Sequence, residues 1–373
     1  MPATNPTEIA VAPKAGAPDG THDSTKSRSG QTPDARHLLR LWLGAVALLI
    51  ALTAIVGAAT RLTGSGLSIT EWNPIMGVVP PLTEADWRDA FAKYQAIPQY
   101  QQLNKGMSLA AFRSIFWWEW GHRLLARAIG VLVLLPLLGF WALGLIPRGL
   151  VPRLVGLLAL GGLQGAIGWY MVRSGLVDRV DVSQYRLALH LGLAIAIFGV
   201  TLWTLFELAP RHAPAPGAVT RGQHRMAAVL AGLVYLQTLL GALVAGLKAG
   251  RTFNTWPLMD GAIIPSGLGQ MSPLWHNLFE NPALVQLNHR LLAYALIVMA
   301  IGHALSMNRT PDTHVSRSAA VLAVVMLTQA ALGIWTLLAW VPTGLGVAHQ
   351  AGALLTFAAA LRHLFAIRRA DRV

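Results

Sequence analysis

Gly121-His122-Arg123-Leu124-Leu125-Ala126 lies inside a long apolar run, and it returns as Asn288-His289-Arg290-Leu291-Leu292-Ala293 inside another. Each run is long enough to cross a bilayer as a helix, which takes roughly 20 residues. Eight such runs lie near residues 39–60, 116–145, 151–172, 185–208, 226–247, 283–306, 317–340 and 344–367. No strand-like alternation of comparable length competes with them, and an open sheet cannot cross hydrocarbon because its edge groups would stay unpaired. The expected fold is an all-α integral membrane protein with eight transmembrane helices.

The duplicated segment also sets the internal organisation. Leu163-Gln164-Gly165-Ala166-Ile167-Gly168-Trp169 in the third run is answered by Thr328-Gln329-Ala330-Ala331-Leu332-Gly333-Ile334-Trp335 in the seventh. Thr70-Glu71-Trp72-Asn73-Pro74-Ile75-Met76-Gly77 is echoed by Asn254-Thr255-Trp256-Pro257-Leu258-Met259-Asp260-Gly261. The second half therefore repeats the first. An even number of helices per copy makes the copies parallel, related by an axis along the membrane normal. The expected division is a disordered cytoplasmic tail at 1–37, a four-helix bundle at 38–209 and a second at 223–368.

Composition agrees: 54% of the 373 residues are hydrophobic and 12% charged. The net charge of +13 would suit nucleic acid if it were gathered on one face. It is scattered over loops instead, so no nucleic-acid partner is expected. The larger share of Lys and Arg falls on the side of the N-terminus, which puts both termini in the cytoplasm. Residues 1–37 are rich in Pro, Gly, Ala, Ser and Thr without an apolar core. They have no signal-peptide h-region, and their acidic residues argue against a transit peptide. A bacterial inner membrane is the expected location. There is no cysteine, which excludes disulfides, thiolate haem ligation and iron–sulfur clusters built from this chain alone.

His122, His190, His289 and His349 each lie about six residues inside the outer end of a run, roughly 9 Å deep at 1.5 Å rise per residue. Ionisable residues inside a span mark functional sites. Two imidazoles at one level on two helices of a bundle suit the axial positions of a haem iron. Zinc would want three or four ligands, and neither pair has the extra carboxylate, thiolate or histidine beside it. Non-haem iron would want two histidines and a carboxylate, a pattern that Glu119 could complete in the first half. Arg123, Arg290 and Arg127 are candidate partners for haem propionates, or else arginines reaching for headgroups. Trp72, Trp117, Trp118, Trp120 and Trp256 could wall a porphyrin or form an interfacial belt.

The copies differ at one position of chemical weight. Glu119 stands three residues before His122, and Gln286 stands three before His289. That offset puts both on the face of the histidine. A carboxylate can move a proton or stabilise developing positive charge, and an amide cannot. The first half is thus expected to react, with Glu119, His122 and His190 as its catalytic residues. The second half is expected to hold a fixed haem on His289 and His349. Pairing of Glu119 with an arginine is the alternative. His303 and His363 lie fourteen residues after His289 and His349, near the inner surface, either as interfacial histidines or as ligands of a further haem. No role is expected for His22, His37, His212, His224, His276 or His314.

The segments Thr60-Arg61-Leu62-Thr63-Gly64-Ser65-Gly66-Leu67-Ser68, Glu71-Trp72-Asn73-Pro74, Glu119-Trp120-Gly121-His122-Arg123, Phe253-Asn254-Thr255-Trp256-Pro257-Leu258-Met259, Asn288-His289-Arg290 and Ala348-His349-Gln350 resemble the haem A synthase family, in the branch shared by alphaproteobacteria and mitochondria. The resemblance covers the chain after its tail. It implies an eight-helix enzyme that oxidises the C8 methyl of haem O to a formyl group through successive hydroxylations, giving haem A for terminal oxidase assembly. It also implies haem b on His289 and His349, substrate haem O at His122 and His190, and an acidic residue at Glu119. A cysteine pair found in the first outer loop of another branch has no counterpart here. Further partners implied are haem O synthase, an electron donor (ferredoxin-like or quinol), membrane lipid and a second copy of the chain in a homo-oligomer. The rival readings are a di-haem b-type electron carrier or quinol oxidoreductase, and a haem transporter or chaperone. The difference between Glu119 and Gln286 favours the enzyme.

Overall fold

In a computed structural model, residues 33–177, 180–210 and 219–370 are described. Eight helices are long and apolar enough to cross a membrane: α1 (Pro33–Leu62), α4 (Leu109–Ala142), α5 (Val151–Gly175), α6 (Gln184–Leu208), α7 (Arg221–Gly246), α9 (Pro282–Met307), α10 (Thr313–Leu338) and α11 (Thr343–Ala370). Outside the spans lie the short helices α2 (Glu84–Gln95), α3 (Pro98–Gln102) and α8 (Asn277–Glu280). Among the described residues there is no strand. The expected tail boundary at residue 37 is corrected, because α1 already begins at Pro33. Proline suits the first turn, where its missing N–H has no helical partner, and Ala35 and Leu39 are buried. Residues 1–32, with His22, and residues 211–218, with His212, lie outside the described residues.

Each half closes into a ring of four helices. In the first, α1 packs on α4 and α6, and α5 on α4 and α6; in the second, α7 packs on α9 and α11, and α10 on α9 and α11. Between the halves, α6 meets α7 and α1 meets α11, while α6 and α11 also touch. Exchanging the copies (α1 with α7, α4 with α9, α5 with α10, α6 with α11) maps each of these contacts onto another of the set. The apolar core sits on that seam, with Leu43, Ile50, Ile195, Phe198, Leu230, Val234, Leu354 and Phe357 buried together.

The rings are not equally tight. Contact between α4 and α5 is the sparsest of any neighbouring pair in either ring, whereas α9 and α10 pack extensively. Along α5, a Cβ added at Gly156, Gly161, Gly162 or Gly165 would meet nothing within 4 Å. The matching positions of α10 are Val321, Met326, Leu327 and Ala330, and Met326 is buried.

On the outer side, α4 begins at Leu109 rather than near residue 116. Ser108 caps it by accepting from the Ala111 N–H at 3.2 Å, which satisfies one of the free donors of the first turn. The added turns carry Phe112 and Phe116 into an aromatic cap with Trp87, Tyr94, Leu67, Ile97 and Val182. α2 is fixed over this cap by a reciprocal capping box between Thr83 and Asp86. The Thr83 N–H and hydroxyl beside Asp86 hold its carboxyl below the usual range.

Candidate functional site

Each of the four histidines lies against a glycine of the preceding span. A Cβ at Gly57 of α1 would meet His122 Cε1 at 2.9 Å; one at Gly168 of α5 would meet His190 Cε1 at 3.0 Å. At Gly241 of α7 and Gly333 of α10 the distances to His289 and His349 Cε1 are 3.3 and 2.7 Å. Alanine at Gly57 or Gly333 would force the imidazole to move, and alanine at Gly168 or Gly241 would press it by a few tenths of an ångström. The same ring atom sits in the same kind of notch four times.

Four residues before each glycine, one turn up the same helix, stands the group that meets the ring nitrogen. Gln164 Nε2 lies 3.2 Å from His190 Nδ1 and donates to the His190 carbonyl at 3.0 Å. Gln237 Nε2 lies 3.1 Å from His289 Nδ1 and donates to its carbonyl at 3.0 Å. Gln329 Nε2 lies 3.1 Å from His349 Nδ1 and donates to its carbonyl at 2.9 Å. The fourth copy departs from this pattern. Position 53 is threonine, whose hydroxyl turns back to the Leu49 carbonyl at 2.7 Å. His122 Nδ1 instead donates to the Thr53 carbonyl at 3.1 Å.

His122 and His190 lie on α4 and α6 of the first ring, and His289 and His349 on α9 and α11 of the second. His190, His289 and His349 lie within two turns of the starts of their helices, as the sequence implied. His122 lies more than three turns inside α4, because α4 continues outward into the aromatic cap.

Glu119 and Gln286 fasten the outer loops. Glu119 Oε2 accepts from the Ser68 hydroxyl at 2.7 Å and the Ile69 N–H at 2.8 Å, and Oε1 pairs with Arg123 Nη2 at 2.6 Å. Gln286 Nε2 donates to the carbonyls of Ala249 and Phe253 at 3.0 and 3.1 Å, and its Oε1 accepts from Arg290 at 3.1 Å. The first loop presents donors and is met by a carboxylate; the second presents acceptors and is met by an amide. The chemical difference between the halves therefore has a loop-holding component that the sequence did not reveal.

The arginines complete these clasps. Arg123 donates to the carbonyls of Ile69 and Glu71 at 2.7 and 2.9 Å. Arg127 donates to those of Pro74 and Asn73 at 2.9 and 2.8 Å. Arg290 donates to Phe253 and Leu258 at 3.2 and 3.4 Å. At the position matching Arg127, Tyr294 accepts from Trp256 Nε1 at 2.9 Å. Trp117 packs edge-on to Trp120 and tilted on Trp87 in the outer cap.

Near the inner surface, His303 and His363 are buried and joined Nε2 to Nε2 at 2.8 Å. Metal–nitrogen bonds of about 2 Å would hold opposed nitrogens about 4 Å apart. In this geometry the pair makes a direct hydrogen bond. Ser318 donates to the Val315 carbonyl at 2.7 Å, so its oxygen accepts from His363 Nδ1 at 2.8 Å. His363 Nε2 is then the acceptor and His303 Nε2 the donor.

The donor set fits a haem iron held between imidazoles. His122 has its Nδ1 proton fixed on a carbonyl, which leaves the Nε2 lone pair free. Gln164 Oε1, Gln237 Oε1 and Gln329 Oε1 are buried without a partner. With the amide turned end for end, each becomes the acceptor that an Nδ1–H needs when Nε2 gives its lone pair to a metal. Arg127 Nη1, Arg290 Nε and Trp120 Nε1 are also buried without a partner. The residues missed by the sequence reading are Gln237, Thr53 and the four glycines, with Gln164 and Gln329 quoted only as repeat markers. The available signal was Gln-x-x-x-Gly, three times, each on the span before a histidine.

Fold and composition together define a polytopic helical membrane protein, with the notch histidines carried on α4, α6, α9 and α11. A family model described as "Cytochrome oxidase assembly protein" (COX15-CtaA) matches residues 40–361. The chain belongs to this family. It is 53% identical over 333 residues to the heme A synthase of Chelativorans sp. (strain BNC1), covering 89% of this chain and 91% of that one. It is 53% identical over 329 residues to the heme A synthase of Mesorhizobium japonicum, covering 88% and 90%. To that of Sinorhizobium fredii it is 51% identical over 344 residues, covering 92% and 93%.

Proposed function

We propose that this chain is an oxidoreductase that converts haem O to haem A, oxidising the C8 methyl of the substrate to a formyl group for terminal oxidase assembly. The half at 38–209 takes the substrate at His122 and His190, and the half at 223–368 holds a haem b on His289 and His349. One observation carries the division of labour. Two matched imidazole pairs lie in unequally packed rings, sparse between α4 and α5 and filled between α9 and α10. A substrate must come and go at every turnover, and the isoprenoid-bearing haem O can move in from lipid through the sparse side. A resident cofactor is better served by the filled ring.

When bound, haem b would supply one-electron transfer. The chain's own residues position and enclose. The glycine notches fix the imidazole planes, and Arg123, Arg127 and Arg290 hold down the loops that roof each pair. Glu119 has the carboxylate closest in sequence to His122 on its face of α4. It balances Arg123 and keeps the 65–71 turn over the substrate, and it is the group we assign to proton handling there. Both termini lie in the cytoplasm of a bacterial inner membrane. Haem O synthase supplies the substrate, a ferredoxin-like or quinol partner exchanges electrons, and a second copy of the chain completes a homo-oligomer.

The test is pigment extraction from membranes that express the chain together with a source of haem O. Haem A should accumulate with the intact protein. Haem O alone, with the protein folded and its b-type spectrum present, would refute the activity.

A further inference from the structure

The four notches share a design, and one of them lacks a part. At His190, His289 and His349 a glutamine amide from the neighbouring helix touches both the ring nitrogen and the histidine's own carbonyl. With Nδ1 unprotonated the amide nitrogen donates to it; when the ring Nε2 gives its lone pair to iron, Nδ1 carries the proton, and turning the amide brings its uncommitted oxygen round to accept it. At His122 the ring Nδ1 donates to a backbone carbonyl, and the Thr53 side chain is occupied within its own helix.

We propose that Gln164, Gln237 and Gln329 are positioning residues for their imidazoles, and that threonine at position 53 makes His122 the exchangeable ligand of the four. The inference rests on the reading that the first half takes the substrate haem. A haem held by two imidazoles that each have an amide clamp is retained; a haem held by one such imidazole and by His122, which has a backbone carbonyl in place of the amide, can leave by release at His122. His190 is thus the anchor in the substrate half and His122 the ligand that lets go. The clamp count separates the halves in the same sense as the helix packing, although it arises from different residues.

The experiment uses the full chain in detergent, loaded with haem b and haem O. Haem release is followed by capture on excess apomyoglobin, and the two haems are told apart by their pyridine haemochrome spectra. The wild type should lose haem O faster than haem b. Thr53→Gln, which supplies the missing amide, should slow haem O release about tenfold and leave haem b release unchanged. Outer partners of metal ligands typically shift affinity roughly 10–100-fold. Gln164→Leu should speed haem O release alone, and Gln237→Leu or Gln329→Leu haem b release alone, each about tenfold. The last two should also shift the low-spin optical and EPR signals of haem b. Thr53→Val keeps the backbone carbonyl and should change neither rate. Unchanged haem O release in both Thr53→Gln and Gln164→Leu, with the haem b spectrum intact, would overturn the inference. If haem O release from the wild type is insensitive to His122→Ala and His190→Ala, the substrate assignment falls and takes this inference with it.

Discussion

The first and second halves have the same helix order and the same four-helix ring, yet differ in how the ring is closed. Met326 is buried on α10, whereas the matching Gly161 of α5, like Gly156, Gly162 and Gly165, offers no side chain to its neighbours. Buried apolar side chains stabilise a membrane bundle by close van der Waals packing rather than by exclusion of water. Their replacement by glycine gives up that packing along one seam. On the proposed division of labour, a duplicated scaffold can separate retention from turnover by how tightly each ring packs, with the paired histidines kept.

The comparison can be broken most decisively at the ligands. His289→Ala or His349→Ala should abolish the low-spin b-type signal of the purified protein, while His122→Ala or His190→Ala should leave it in place. Survival of the signal in the first two variants would reverse the assignment of the halves.

The next largest effect is expected at Glu119. Glu119→Ala should keep the haem b spectrum and stop haem A accumulation, and Glu119→Gln should do the same, because its amide oxygen can meet the Ser68 and Ile69 donors but its nitrogen then faces Arg123 and the ionisable carboxylate is gone. The reciprocal Gln286→Glu places a carboxylate against the carbonyls of Ala249 and Phe253. It should loosen the second loop and cost roughly 1–3 kcal/mol of stability, the usual penalty for unsatisfied buried acceptors. Wild-type haem A formation in Glu119→Ala would remove the carboxylate from the mechanism.

A moderate effect should follow from filling the sparse seam. Gly161→Met with Gly162→Leu imports the second half's residues into the first. It should raise the KM for haem O about tenfold, equivalent to about 1.4 kcal/mol, with little change in kcat or in the haem b spectrum. An unchanged KM would separate substrate access from this seam.

The smallest effect concerns an outer tie between the halves. Asp181 pairs with Arg61 at 2.7 Å and with Lys248 at 2.5 Å, and Arg61 also donates to the Gly246 carbonyl at 3.0 Å. Burial pushes the Asp181 carboxyl up, but Lys248 and Arg61 outweigh it and hold the group below its usual 3.8. Because the folded value is depressed, the tie contributes above about pH 4 and is lost as pH falls through the depressed value. Asp181→Asn should cost up to about 1 kcal/mol at neutral pH in thermal unfolding, and the difference from wild type should vanish in acid.

Much of this architecture could be read from the residues. The eight spans, the duplication and the paired histidines follow from apolar run length and from repeated motifs, since a membrane helix must satisfy its backbone internally and so announces itself. What the sequence hid depends on contacts across helices. The outward extension of α4 is set by aromatic packing against α2, and no local apolar run reports that. The loop-holding part of Glu119 and Gln286 depends on whether the facing backbone offers N–H or carbonyl groups. The Gln164, Gln237 and Gln329 clamps lie on neighbouring spans, so proximity in sequence could not link them to their histidines. His303 and His363 were visible as a spacing, but their direct 2.8 Å contact was not.

The joint between the halves carries one more lesson. Its contacts, α6 on α7 and α1 on α11, are related by the same exchange that relates the bundles, as in the isologous face of a two-fold dimer. Two identical subunits meeting through such a face are bound to carry identical binding cavities, so any mutation that loosened one would loosen both. Joining them in a single polypeptide lifts that constraint, and it lets one cradle become a doorway while its twin stays a vault.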